Sequence, residues 1–283
     1  MESADRNMDV EKAKDSILNV RYERYRGLLK NFTLMNDVFM RNVFKDQECT
    51  EYVLQVIMEK KDLKVREQVI QKDYKNLQGR SAILDCVALD ADKKQYNIEI
   101  QQDNEGASPK RARYHSGLMD MNTLRAGQDF DELPESYVIF ITRDDTLGCE
   151  LPIYHIDRII KETKEDFLDE SHIIYVNSQV QDETELGHLM HDLYCKNADE
   201  MHSGILAQRV RELKETQKGV ESMCREMDQI YREGIEEGKM ENKRETAISM
   251  AELGISIEQI AKVVKENVDI VQKWIAEGMA LAK

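Results

Sequence analysis

The chain reads as an α/β protein: a mixed central sheet flanked by helices, with elements in the order α, β, β, β, α, β, followed by an all-α C-terminal extension. Three observations predict it. Short runs rich in β-branched residues and bounded by turn residues recur between residues 63 and 176. A Ser-Pro pair opens a helix within that series, and from Met201 onward the pattern changes to long, charged helix.

The elements follow in order. Residues 1–30 are expected as an N-terminal helical segment. Leu34 to Phe44 and Glu48 to Lys60 have helical spacing, with Thr33 and Asp46 as caps. Leu63 to Ile70 reads as extended, and Arg80 to Leu89 is rich in β-branched and small apolar residues. Asp90 to Lys94 is a turn leading into the strand Gln95 to Gln102. Ser108 caps a helix with Pro109 at its first position, running to about Gly127. Tyr137 to Ile141 and His172 to Val176 complete the buried strands, while Asp144, Asp145 and Gly148 mark a turn. Met119 and Met121 are expected to fill gaps in the core. Helices then run over Ile205 to Lys218, Val220 to Glu233 and Ile235 to Leu253. After the break at Gly254 to Ser256 come Ile257 to Val264, with Ser256 as cap, and a last helix near Asp269 to Ala282. This gives three segments: 1–30, a domain over 31–205, and a helical extension over 206–283 that ends in a helical hairpin.

With 283 residues and 41% apolar content the chain is long enough to bury a substantial core. Its 55 Asp and Glu against 40 Lys and Arg give a formal charge of −15, which excludes a uniformly basic protein coating nucleic acid. A polyanion needs a local site here. The excess sits in residues 31–205, which hold 34 acidic and 20 basic side chains; carboxylates left without a basic partner there are either metal ligands or a solvated acidic surface. Five cysteines without a C-x-x-C pair argue against a disulfide framework or a cysteine zinc cage. The N-terminus carries no apolar signal region, and no run approaches the roughly 18 apolar residues of a membrane span. The expectation is a cytoplasmic protein with reduced thiols and no membrane partner.

The stretch that bears on chemistry is Ile83-Leu-Asp85 followed, across the turn, by Tyr96-Asn-Ile-Glu99-Ile-Gln101. Alternation along a strand places Asn97, Glu99 and Gln101 on one face. Strands joined by a short turn pair, which brings Asp85 within reach of Glu99. Two carboxylates on adjacent strands are the smallest protein set that holds a hard, octahedral cation such as Mg²⁺ or Mn²⁺. Such an ion lowers the pKa of a bound water and neutralises charge developing on a phosphodiester. The competing reading pairs these acids with Arg80 or Lys93 as ion pairs. On the next helix, Lys110, Arg113 and Tyr114 share a face suited to phosphate contact, with Arg111 beside them; ion pairing of Arg111 and Arg113 with local acids is the alternative. His188 and His191, three apart beside Asp192, lack an evident third ligand and read as surface side chains.

Taken together, Asn36-Asp37-Val-Phe39, Ile83-Leu-Asp85, Tyr96-Asn-Ile-Glu99-Ile-Gln101, Arg111-Ala-Arg113-Tyr114-His115 and Leu133 through Thr142 resemble the PD-(D/E)XK nuclease family transposases, also called recombination-promoting nucleases (Rpn), over about residues 30 to 200. The resemblance implies a restriction-endonuclease-like αβββαβ core. It also implies a Mg²⁺-dependent DNA endonuclease linked to recombination, with Asp85 and Glu99 as metal ligands and Asp37 as an additional acid. Gln101 stands where the broader superfamily has lysine, as in its glutamine variants. A glutamine amide orients water and donates a neutral hydrogen bond but supplies no charge. Losing a charge-assisted contact costs about 1–2 kcal/mol of transition-state stabilisation, so either another cation substitutes or the enzyme is slow. The alternative is a nuclease-fold protein that binds DNA or assembles without cutting it.

In the tail, Leu253 to Val264 and Val268 to Trp274 outline a helix-turn-helix, yet its second helix is not basic. A hairpin that docks or self-associates into a homo-oligomer is the better expectation, with Gly234 and Gly238 allowing close helix approach.

Overall fold

The computed structural model describes residues 18–74, 80–102 and 104–281. The N-terminal helical segment is described from residue 18 and is helical to residue 29 (α1); the part of that expectation over residues 1–17 lies outside the described residues.

Two helices come next, Asp37–Phe44 (α2) and Gln47–Ile57 (α3). Asp46 caps α3 by accepting from Glu48 N–H. At α2 the capping position falls to Asn36, whose side chain accepts from Thr33 N–H at 2.7 Å. Three strands follow: Val65–Tyr74 (β1), Ala82–Asp90 (β2) and Gln95–Gln101 (β3). The turn between β2 and β3 is held by the buried Asp90, whose Oδ1 accepts from Asp92 and Lys94 N–H and whose Oδ2 accepts from Tyr96 OH, each at 2.9 Å.

Pro109–Thr123 (α4) then crosses to Ser136–Thr142 (β4), with Ser108 accepting from Arg111 N–H as cap. The helix ends four residues before Gly127, because Leu124 is already extended and Thr123 turns its hydroxyl back to Met119 O. Ile153–Ile156 (β5) and Ser171–Asn177 (β6) complete the sheet, followed by Glu185–Asp192 (α5) and Gly204–Glu215 (α6).

The six strands lie in the order β1-β2-β3-β4-β6-β5. The β1-β2-β3 meander is antiparallel, β3, β4 and β6 run parallel, and β5 closes the far edge antiparallel to β6. The βαβ crossover through α4 is what a parallel β3–β4 pair requires. On the α4 side the core holds Ala112, Leu118, Met119, Val138, Phe140 and Tyr175. Ile139 and Ile141 alternate with these on β4 and are equally buried. Of the two methionines read as core, Met119 is fully buried, whereas Met121 is 65% exposed because it lies two positions on, away from the sheet.

The expected mixed α/β sheet with flanking helices and a helical C-terminal extension is therefore the fold. The chain divides into two compact units, Met1–Met223 and Cys224–Lys283, with the division inside one continuous helix, Gln217–Glu252 (α7). In the second unit, Ala247, Ile260, Ala261, Val264, Val271 and Ile275 form a core among the end of α7, Ile257–Val264 (α8) and Val268–Leu281 (α9). Nothing in the described residues lies within 4 Å of a Cβ built at Gly234 or Gly238, so the close approach expected there is not made among the described residues. All five cysteines are free, and among the described residues no helix is long and apolar enough to cross a membrane.

One close approach on α5 yields a stability prediction. A Cβ on Gly187 would stand 2.2 Å from the main-chain oxygen of Asp182. Gly187→Ala is expected to destabilise the fold by about 1–3 kcal/mol, read as a lower urea midpoint with unchanged denaturant dependence; an unchanged midpoint would refute the contact.

Candidate active site

The β2–β3 ladder runs from Leu89 opposite Gln95 to Cys86 opposite Ile98 and stops there. The next position sets Asp85 beside Glu99, where bonds between carboxylates and main chain replace the ladder. Asp85 N–H donates to Glu99 Oε1 at 3.3 Å, and Ile100 N–H donates to the Asp85 carboxylate. On its other edge β3 stays paired with β4 as far as Gln101 opposite Thr142, so the strands part on one side only. β2 is packed by both α2 and α4.

Glu99 is fully buried and is surrounded by donors at long range. Oε1 accepts from Asn97 Nδ2 at 3.1 Å and faces His115 Nδ1 at 3.6 Å. Oε2 accepts from Gln101 Nε2 at 3.4 Å, with the Arg111 guanidinium at 3.7 Å. Arg111 Nε donates to His115 Nε2 at 3.3 Å, which leaves the ring proton on Nδ1, toward Glu99. Burial and the neighbouring Arg111 charge push His115 down to about 4, so the imidazole is neutral at physiological pH. Burial first, and then the charge of a nearby acid, hold both carboxylates above their usual range: Asp37 acts on Asp85, and Asp85 acts on Glu99.

Asp37 is the first residue of α2, mostly exposed, and its Oδ2 is bound by Arg41 at 2.8 Å. Its charge is among those that raise the Asp85 carboxyl. Gln101 is accommodated by Gly106, where a Cβ would stand 2.1 Å from Gln101 Oε1. Of the residues expected to meet phosphate, Arg111 turns inward to Glu99. Lys110, Arg113 and Tyr114 are exposed, and Tyr114 OH donates to Arg80 O. Helix phase decides this: Ala112, His115, Leu118 and Met119 bury against the sheet, so Arg111 and His115, four apart, share the flank nearest Glu99. Neither Arg80 nor Lys93 forms an ion pair with Asp85 or Glu99 among the described residues.

Asn97 is expected on the Glu99 face and His115 stands in the motif stretch, but the sequence assigns neither a role; Arg41, one helical turn after Asp37, was not anticipated, and helical periodicity was the available signal. Asn97 Oδ1 and His115 Nδ1 are buried without a hydrogen-bond partner. Two repelling carboxylates and an orphaned amide oxygen form an oxygen-rich set that fits a hard divalent cation, with the half-exposed Arg111 guanidinium offsetting part of their charge.

No curated protein and no solved structure matches the chain. A family model described as PD-(D/E)XK nuclease family transposase matches residues 34–252, which includes Asp37, Asp85, Glu99, Gln101 and α4. With most of its length matched, and with a mixed sheet that brings the two strand acids together, this chain belongs to the PD-(D/E)XK nuclease transposase family.

Proposed function

We propose that this chain is a divalent-cation-dependent DNA endonuclease, with Asp85 and Glu99 as metal ligands and Gln101 orienting the attacking water. The observation that carries this reading is the pairing of two acids through each other's strand: each carboxylate accepts a main-chain N–H across the point where the ladder ends. Side chains fixed in this way hold donor oxygens in place without needing the ion to order them. Bound there, Mg²⁺ or Mn²⁺ supplies an acidified water and neutralises phosphodiester charge.

The chain's own residues divide the remaining work. Arg111, 3.7 Å from Glu99 Oε2, supplies the positive charge that Gln101 lacks. His115, neutral and bonded to Arg111 Nε, positions that guanidinium. Asp37 is the additional acid, fixed by Arg41. Lys110, Arg113 and Tyr114, exposed on α4, contact the DNA backbone on either side of the cut. In this reading the substrate is cytoplasmic DNA in recombination, and the C-terminal helices join copies of the chain.

Supercoiled plasmid incubated with Mg²⁺ or Mn²⁺ tests the proposal, and it fails if neither nicked nor linear product forms. One observation favours a second reading: glutamine at position 101 leaves the site short of a fixed charge, which suits a DNA-binding or assembly module that does not cut. Salt-dependent DNA binding without cleavage in any divalent metal is the result that selects it.

Gly106→Ala separates the role of Gln101 from that of the fold. The clash is with the far end of a flexible side chain, so stability is expected to change little. Cleavage is expected to fall about tenfold, or roughly 1.4 kcal/mol in transition-state terms, in single-turnover assays. Full activity in this variant would remove Gln101 from the mechanism.

A further inference from the structure

Away from the Asp85–Glu99 pair, the first unit gathers imidazoles from two elements. His188 and His191 lie one turn apart on α5, and the segment entering α6 brings His202 against both. The His202 ring stacks on His188 with centroids 4.0 Å apart and planes 12° from parallel, and meets His191 edge-on at 4.8 Å. Asp192 ties these elements together. It is fully buried; Oδ1 accepts from His202 N–H at 2.7 Å, and Oδ2 accepts from Ser203 N–H at 2.8 Å. The same Oδ1 lies 3.4 Å from His191 Nδ1. One carboxylate thus fixes the main chain that carries one imidazole while facing the ring of another, which sets its oxygen beside both rings.

The ligand atoms of His191, Asp192 and His202 all lie within 4.8 Å of one another, and no other trio of His, Cys, Asp or Glu among the described residues does so. Donors also need to be reachable. A cleft of about 290 Å³ opens at His188 and His202, walled by Tyr52, Lys61 and Glu185, and Lys61 and Glu185 neutralise each other across its rim at 2.6 Å. Ring packing alone asks only for flat apolar surface. What His191, His202 and Asp192 share is donor atoms within reach of one point.

We propose that His191, His202 and Asp192 form a binding site for a late first-row divalent cation such as Zn²⁺, with solvent as the fourth ligand and His188 packing behind the His202 ring. Imidazole donors favour Zn²⁺, Cu²⁺ or Ni²⁺, whereas carboxylate and amide oxygens favour Mg²⁺ and Mn²⁺, so this site selects a different ion from the Asp85–Glu99 pair. Tetrahedral Zn²⁺ with bonds of about 2.0–2.1 Å sets its donors roughly 3.4 Å apart; His191 and Asp192 already stand 3.4 Å apart, and the exposed His202 side chain closes the remaining gap on loading. Loading links α5 to the start of α6, and that linkage appears as added stability.

The experiment uses the tag-free full chain carrying Asp85→Asn and Glu99→Gln, so that no ion at the strand acids contributes. Co²⁺ titration is expected to give the visible absorption of tetrahedral cobalt, displaced by Zn²⁺, and Zn²⁺ but not Mg²⁺ is expected to raise the thermal midpoint. His191→Gln and His202→Gln are each expected to weaken Co²⁺ binding at least about tenfold. His202 is exposed and its backbone, not its ring, is what Asp192 holds, so its replacement keeps the chain folded, which the metal-free midpoint verifies. No cobalt spectrum, or the same affinity in the parent and both variants, overturns the site and leaves the endonuclease reading untouched.

Discussion

Asp85→Asn and Glu99→Gln are each expected to reduce Mg²⁺-dependent DNA cleavage by at least about a hundredfold, or roughly 2.7 kcal/mol of transition-state stabilisation. Neither replacement changes side-chain size, so the loss isolates the carboxylate charge. A second readout moves in the opposite direction. Burial and like charge raise the Glu99 carboxyl in the folded state, so the folded chain holds its proton more tightly than the unfolded chain. The Glu99 contribution to metal-free stability is then fully present below the unfolded carboxylate range of about 4 and is lost as pH rises through about 8. Glutamine at 99 carries no charge to penalise. In chelator at neutral pH, Glu99→Gln is therefore expected to be more stable than the parent by about 1–2 kcal/mol. Divalent cation should restore the parent, by about 2.7 kcal/mol at a hundred times its dissociation constant, and leave Glu99→Gln unmoved. A variant that is inactive but also less stable in chelator would point to a structural role for Glu99.

Phe140→Ala is expected to cost about 3–5 kcal/mol of folding stability. Phe140 is fully buried on β4, with β3 and β6 parallel on either side, level with Glu99 on one and Tyr175 on the other. Its ring stacks on Tyr175 at 5.5 Å and lies 5.8 Å from His115. Truncation opens a cavity in the layer that also forms the wall of the Glu99 site. Urea denaturation should show a lower midpoint at unchanged slope, and Phe140→Leu should recover most of the loss because it restores volume. A cost under about 1 kcal/mol would mean that the site's wall can collapse without harm, contrary to interior packing density.

The central strands were legible because their signals are local. Alternation along Gln95–Gln101, the Asp90 turn and the Ser108-Pro109 start each need only a few neighbouring residues. β5 was not read: it has four residues, sits on an edge and is half-exposed, so it carries no apolar run. α7 was read as two helices because Gly219 and Gly234 interrupt its periodicity. A glycine costs about 1 kcal/mol in a helix, which the charged helix formers around it outweigh. At the candidate site, Asp85 and Glu99 were legible because a hairpin makes sequence distance into spatial contact. The inward turn of Arg111 was not, since the phase of α4 depends on which residues the sheet buries. His202 came from outside any pattern: it reaches His188 and His191 only because Asp192 holds its backbone.

The end of the β2–β3 ladder has a consequence for how this lineage tolerates change. Each acid is held by the opposite strand's main chain, so their spacing is written into register rather than into rotamers. A single-residue insertion or deletion in the 90–94 turn shifts one partner by a pleat and turns its side chain to the other surface, removing both acids from one another in one step. Length variation should accordingly be purged from that hairpin and collect where it moves no paired strand, as in the segment between β4 and β5.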